Sequence, residues 1–113
     1  MHMDHYQEKA ETSAIYPGKG TGSASALAYV TLGLAGEAGE IANKVKKIMR
    51  DRGGDVSGDV QDDLANELGD VLWYVAMLAT ELGFDLSLIA ARNLGKLSAR
   101  AARGTLQGSG DNR

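Results

Sequence analysis

The sequence has no cysteine, one proline, one tryptophan and one phenylalanine, and its two histidines, His2 and His5, both lie near the start. Without cysteine there is no disulfide framework, no thiolate zinc site and no cysteine nucleophile. Two histidines at one end offer little to an imidazole-rich metal centre. No stretch is dominated by basic residues and the formal charge is −3, which argues against nucleic acid as a partner. Long apolar runs are missing as well, since Gly, Glu, Lys or Asp breaks each one well short of the roughly 20 residues of a membrane span. The opening MHMDHYQEKAE is polar and lacks a signal-peptide pattern. The expectation is therefore a mildly acidic cytoplasmic chain with no membrane partner, whose 113 residues suit one domain and one small core.

What is present is helical periodicity. Leu27, Val30, Leu34, Ile41, Val45 and Ile48 recur at steps of three, four and seven, which predicts a long helix over roughly residues 23 to 51. Before it, IYPGKGTGS reads as a loop following a short helix over about residues 4 to 14. After it, RDRGGDVSGDV is rich in Gly and Asp and reads as a connection whose aspartates do not match calcium-loop spacing. A third helix is expected over roughly 61 to 82, with Leu64, Leu68, Val71, Leu72, Val75, Leu78 and Leu82 on a broad face and Gly83 as its stop. Asp85 is a suitable N-cap for a fourth, over about 86 to 102. The tail GTLQGSGDNR has too little apolar content to pack and is expected to be loose. This divides the chain into an N-terminal helix and loop (1–22), a helical domain (23–102) and a tail (103–113). The fold class is all-α, a bundle of about four helices completed by oligomerisation.

The chemistry lies in the acidic residues. GEAGE spaces Glu37 and Glu40 three apart, and ELGD does the same for Glu67 and Asp70 on the next helix. Three helical residues turn through about 300°, so each pair lies on one face. Glu37 falls within the apolar register between Leu34 and Ile41, and Glu67 borders the stripe of Leu64, Leu68 and Val71. Any one such pair is ordinary helix surface in most proteins. Two pairs on neighbouring helices, both abutting the core stripe, bring four carboxylates to one edge of the interface, where uncompensated charge is costly. A hard divalent cation resolves that conflict, and an all-oxygen ligand set suits Mg²⁺ or Mn²⁺ better than zinc. Gly36, Gly39 and Gly69 nearby cost helix propensity, about 1 kcal/mol each, and imply that small residues are needed there for helix approach or ligand access.

GLAGEAGEIANKVKK, then DLANELGDVLWYVAMLATELG, then NLGKLSAR resemble the MazG-like nucleotide pyrophosphohydrolases, whose signature is a Glu-x-x-Glu pair, a variable spacer and a Glu-x-x-Asp pair. The resemblance runs from about Leu32 to Arg100. It implies an all-α homodimer or homotetramer with Mg²⁺ held by Glu37, Glu40, Glu67 and Asp70, hydrolysing a nucleoside triphosphate to the monophosphate and pyrophosphate. Glu37 or Glu40 would take the proton of the attacking water. Asn93, Lys96 and Arg100, at steps of three and four on the fourth helix, match the segment that contacts phosphate in the family. The alternative for that row is a solvated basic face near a helix C-terminus.

Lys44 shares the flank of the glutamates, either as a salt-bridge partner or as a substrate contact. Trp73 points away from the stripe of its own helix and is expected against another subunit or against the first segment, with base stacking as a further option. Tyr74 and Tyr29 are candidates for a base pocket. A di-iron bundle needs Glu-x-x-His pairs, and no histidine follows His5. The remaining competitors are a hydrolase of phosphoribosyl-ATP and a non-catalytic helical module that binds metal for stability.

Overall fold

Four helices account for nearly all the regular structure of the chain: α1 (Met3–Glu11), α2 (Ala24–Asp51), α3 (Asp59–Leu82) and α4 (Leu86–Arg103). The computed structural model describes residues 1–105, 107, 108, 110 and 111, and no strand occurs among them. The all-α expectation holds. Four of the expected helix boundaries move by one or two residues, and the first helix stops three residues early, where Thr12 and Ser13 turn their hydroxyls back onto the carbonyls of Lys9 and Ala10.

The long helices are delimited as their sequences require. Ser23 caps α2 by accepting the Ala26 N–H at 3.2 Å. Gly83 ends α3 in the left-handed region (φ +79), which a residue with a Cβ rarely adopts. Asp85 does occupy the N-cap position of α4, but its side chain makes no capping bond. The orphan donors go to α1 instead. Gln7 Oε1 accepts the Leu86 N–H at 2.8 Å, while Asp4 accepts both the N–H and the hydroxyl of Ser87. A cap expected from the neighbouring residue is supplied across the fold.

α2 and α3 form a long hairpin, α1 packs on α3, and α4 packs on α1 and α3 but not on α2. The core gathers at one end of that hairpin: Ala10, Ala14 and Tyr16 from the N-terminal segment, Ala26 and Val30 from α2, Ala76, Met77 and Ala79 from α3, and Leu86 from α4. Trp73 joins it from the side. Its indole N–H donates to the Ala10 carbonyl and the Ser13 hydroxyl, so of the positions foreseen for this ring the first segment is the one it takes. Several leucines along the hairpin lack such cover. Leu68 and Leu72, counted above with the buried stripe, are 59% and 45% exposed, and Leu32 on α2 is 71% exposed. The radius of gyration, 16.8 Å, exceeds the roughly 13 Å of a compact domain of this length.

No single helix among the described residues is long and apolar enough to cross a membrane, and α3 with α4, which together have the length, bend by 98°.

One polar contact fixes the loop ahead of α2. The carboxylate of Glu81 is buried and accepts from the Tyr16 hydroxyl at 2.5 Å, the Gly20 N–H at 2.7 Å and the Gly22 N–H at 2.9 Å. Gly20 and Gly22 both have positive φ, which is how successive N–H groups turn toward one anion. Burial pushes the Glu81 carboxyl up, but the three donors outweigh it and hold it below the usual range. A depressed carboxyl stabilises the fold above its unfolded-state pKa, and that stabilisation is lost as pH falls through the lower folded-state value. Glu81→Gln is expected to lower stability by about 1–3 kcal/mol at neutral pH and to flatten the acid limb of the pH–stability curve. Urea melts followed by circular dichroism between pH 3 and pH 7 measure both, and an unchanged curve would remove Glu81 as the anchor.

Candidate active site

The α2–α3 hairpin brings the acidic pairs face to face. Ligand oxygens of Glu37, Glu67 and Asp70 lie within 4.8 Å of one another. Glu37 and Glu67 are partly buried, as their places beside the apolar stripes require, and Asp70 is exposed. Glu40 is not part of this triplet; it is exposed, one turn beyond Glu37. Burial pushes the Glu37 carboxyl up, and the negative charges of Asp70, Glu67 and Glu40 push it further. Such a cluster favours a proton or a cation.

One cation is already present. Lys44 Nζ donates to Glu67 Oε1 at 2.8 Å and to Asp63 Oδ1 at 2.9 Å, and these carboxylates hold its ammonium charged well above the ordinary lysine range. Of the two roles read for Lys44, the salt bridge is the one visible in this chain. It compensates Glu67 and leaves Glu37 and Asp70 facing each other without an ion pair among the described residues.

Tyr74 closes the end of the site nearest the core. Its ring lies directly on Gly33 of α2, where an added Cβ would come within 2.2 Å of a ring carbon. Of the α2 and α3 glycines near the acidic pairs, this one is required by close approach. Gly36, Gly39 and Gly69 face open space, so the small residues expected to serve helix contact there meet nothing within the chain. Tyr74 also packs edge-on against Trp73 with centroids 5.0 Å apart. Burial raises its hydroxyl pKa first, with Tyr29, Glu37 and Asp70 adding to the effect.

The basic row on α4 is split. Asn93 and Lys96 line a groove with Ile89 and Arg92. Arg100 is only 3% exposed; its guanidinium donates to the carbonyl and carboxylate of Asp111, which also pairs with Lys96 at 3.0 Å. The tail expected to be loose thus contributes Asp111 to this face, while Leu106, Ser109, Asn112 and Arg113 lie outside the described residues. Because α4 does not pack on α2, one chain does not bring Asn93, Lys96 and Arg100 to Glu37 and Glu40.

Residues 26–104, which contain most of this hairpin and both spaced acidic pairs, match the model of the MazG nucleotide pyrophosphohydrolase domain. The chain belongs to the MazG family. A second likeness is to the "Gene 37 protein" of Mycobacterium phage L5, 59% identical over 114 residues and covering both chains completely. No solved structure matches. The MazG domain match takes in all four acidic residues, Lys44, Tyr74 and the α4 row, but leaves out α1 and the Glu81-anchored loop, which supply much of the core. Sequence reasoning gave no role to Glu81, Gly33 or Arg92, because a glutamate near a helix end, a glycine among several and an arginine on an exposed face carry no distinctive local signal.

The Glu37 shift has a testable sign. A carboxyl raised in the folded chain keeps its proton longer than in the unfolded chain, so metal-free stability falls as pH rises from the ordinary glutamate range through the raised value. Glu37→Gln is expected to raise the metal-free Tm at pH 7 and to shrink the further rise that millimolar Mg²⁺ gives to the wild type. Differential scanning calorimetry with EDTA and with Mg²⁺ tests this; a wild-type Tm indifferent to divalent ions, with Glu37→Gln no more stable, would contradict it.

Proposed function

We propose that this MazG-family chain is a Mg²⁺-dependent nucleoside triphosphate pyrophosphohydrolase, converting ribo- or deoxynucleoside triphosphates to monophosphates and pyrophosphate in the upkeep of the cellular nucleotide pool. The observation that carries the reading is the convergence of Glu37, Glu67 and Asp70 within 4.8 Å, in a setting that already penalises the charge of Glu37. Three carboxylates with no nitrogen or sulfur donor fit a hard divalent cation, Mg²⁺ with Mn²⁺ as substitute. When bound, such an ion supplies positive charge for phosphate oxygens and lowers the pKa of coordinated water.

The chain's own residues divide the remaining work. Glu37, Glu67 and Asp70 would hold the cation, with Lys44 orienting Glu67 through its hydrogen bond. Glu40, exposed beside the triplet, is the carboxylate left to accept a proton from water, or to complete the ligand set as the fourth acidic residue of the motif. Tyr74 and Gly33 keep α2 and α3 close enough for the carboxylates to meet. With Mg²⁺ and a panel of canonical and modified nucleoside triphosphates, the products are expected to be monophosphate and pyrophosphate. Glu40→Ala and Asp70→Ala are expected to abolish turnover while leaving the helical circular dichroism intact. Release of orthophosphate and diphosphate instead, or near-normal activity in both variants, would sink the assignment.

The assembly belongs to the same reading. Leu68 and Leu72 on α3 and Leu32 on α2 are exposed, and an apolar cavity of about 450 Å³ opens between α1, α3 and α4, lined by Met3, Tyr6, Leu72, Val75, Leu86 and Ile89. A second copy covering these faces gives a homodimer or homotetramer, and its α4 can bring Asn93 and Lys96 to a nucleotide held by the first copy. Arg100, buried against Asp111, then supports Lys96. Sedimentation at micromolar concentration is expected to give at least a dimer, with Leu68→Glu shifting it toward monomer and lowering activity together. A monomeric and fully active wild type would refute this.

A further inference from the structure

Resting on the pyrophosphohydrolase reading, we propose that the ring of Tyr29 is the stacking platform for the base of the nucleotide. Four aromatic side chains form one connected group at the core end of the hairpin, away from the connection between α2 and α3. Tyr29 stacks on Tyr16 with centroids 5.1 Å apart and planes within 16°, Tyr16 meets Trp73 edge-on at 6.4 Å, and Trp73 meets Tyr74 edge-on at 5.0 Å. Three of these rings are committed to the protein. Tyr16 is buried and tied to Glu81, Trp73 donates to the first segment, and Tyr74 lies on Gly33. Tyr29 alone of the four is open, at 45% exposed.

An exposed tyrosine is ordinarily free to change rotamer, and this one is not. One face rests on a ring that a buried carboxylate immobilises, and the hydroxyl meets that of Tyr74. The face turned away from Tyr16 is therefore offered in a fixed orientation, which spares a ligand the cost of ordering it. A flat, sequence-tolerant π surface of this kind is what nucleobases stack on. Its position relative to the carboxylates also suits a nucleotide. Tyr29 and Glu37 are eight residues apart on α2, about 12 Å along the axis and within a quarter-turn around it. That is the scale separating a base from the distal phosphates of its own triphosphate. Tyr74, whose ring lies on Gly33 midway between Tyr29 and Glu37 along α2, is close to both. Of the two tyrosines that the sequence offered for a base pocket, Tyr29 is the exposed one, while Tyr74 is partly buried with its ring on Gly33.

The experiment compares wild type, Tyr29→Ala and Tyr29→Phe in three measurements: KM and kcat across the canonical ribo- and deoxynucleoside triphosphates, inhibition by inorganic tripolyphosphate, and Mn²⁺ binding by calorimetry. Tripolyphosphate carries the phosphate chain without a base. Tyr29→Ala is expected to raise KM about tenfold or more for the nucleotides, in line with the loss of one stacked base, while Tyr29→Phe, which keeps the ring, stays near wild type. Neither variant is expected to alter tripolyphosphate inhibition or Mn²⁺ affinity. Unchanged KM in Tyr29→Ala would overturn the platform, as would equal weakening toward nucleotide and tripolyphosphate, which would make the ring a support of the phosphate site. A change in sedimentation with no nucleotide present would overturn it too, by making the open face a contact between copies. A wild type that binds Mn²⁺ and tripolyphosphate but turns over no nucleotide would remove the hydrolase reading and the platform with it; a turning-over wild type matched by Tyr29→Ala would remove the platform alone.

Discussion

The placement of a tyrosine ring directly on Gly33 sets how closely α2 and α3 approach, and much else in the molecule follows from that spacing. Ordinary side chains at a helix crossing keep axes 8–10 Å apart, whereas a glycine lets the partner's aromatic ring lie on bare backbone. One turn along α2 stands Glu37, and one turn back along α3 stands Asp70. Close approach at the first level makes close approach at the second unavoidable. Like charges meet there because the packing beside them leaves no alternative, and Lys44 offsets only part of the resulting repulsion.

The molecule divides accordingly into two regions with different physical characters. At one end, apolar contacts, a buried carboxylate and capping bonds between distant residues hold α1, the loop and the start of α4 in place. At the other, two long helices run on with leucines and glycines facing open space. Stability is concentrated in the first region, and the acidic triplet sits where the two meet. Such sites combine rigid support on one side with access on the other.

The legible part of this was the part encoded locally. The strong helical period of α2 and α3 and the left-handed stop at Gly83 are properties of short windows, and the spans came out within a residue or two. The acidic pairs were also legible, since three-residue spacing fixes a face and adjacency to the stripe fixes the side. What could not be read was set by residues far apart. Glu81 is an unremarked glutamate in a helix until Tyr16 and two glycine N–H groups are brought to it. Asp85 has every local attribute of a cap, yet Asp4 and Gln7 supply the bonds. The broad apolar face of α3 predicted burial for Leu68 and Leu72, but a stripe wider than one partner helix can cover leaves some members open within a single chain.

The capping of α4 by α1 has a consequence for the order in which the chain becomes structured. α1 is nine residues long, too short to be stable by itself. Its polar anchors, Asp4 and Gln7, find their partners at Thr80, Phe84, Leu86 and Ser87, separated from them by more than 70 positions. At a synthesis rate of about 5–20 residues per second, α1 waits several seconds after it is made for the contacts that hold it. α1 is made well before the residues that secure it, so its docking belongs to the late steps of folding.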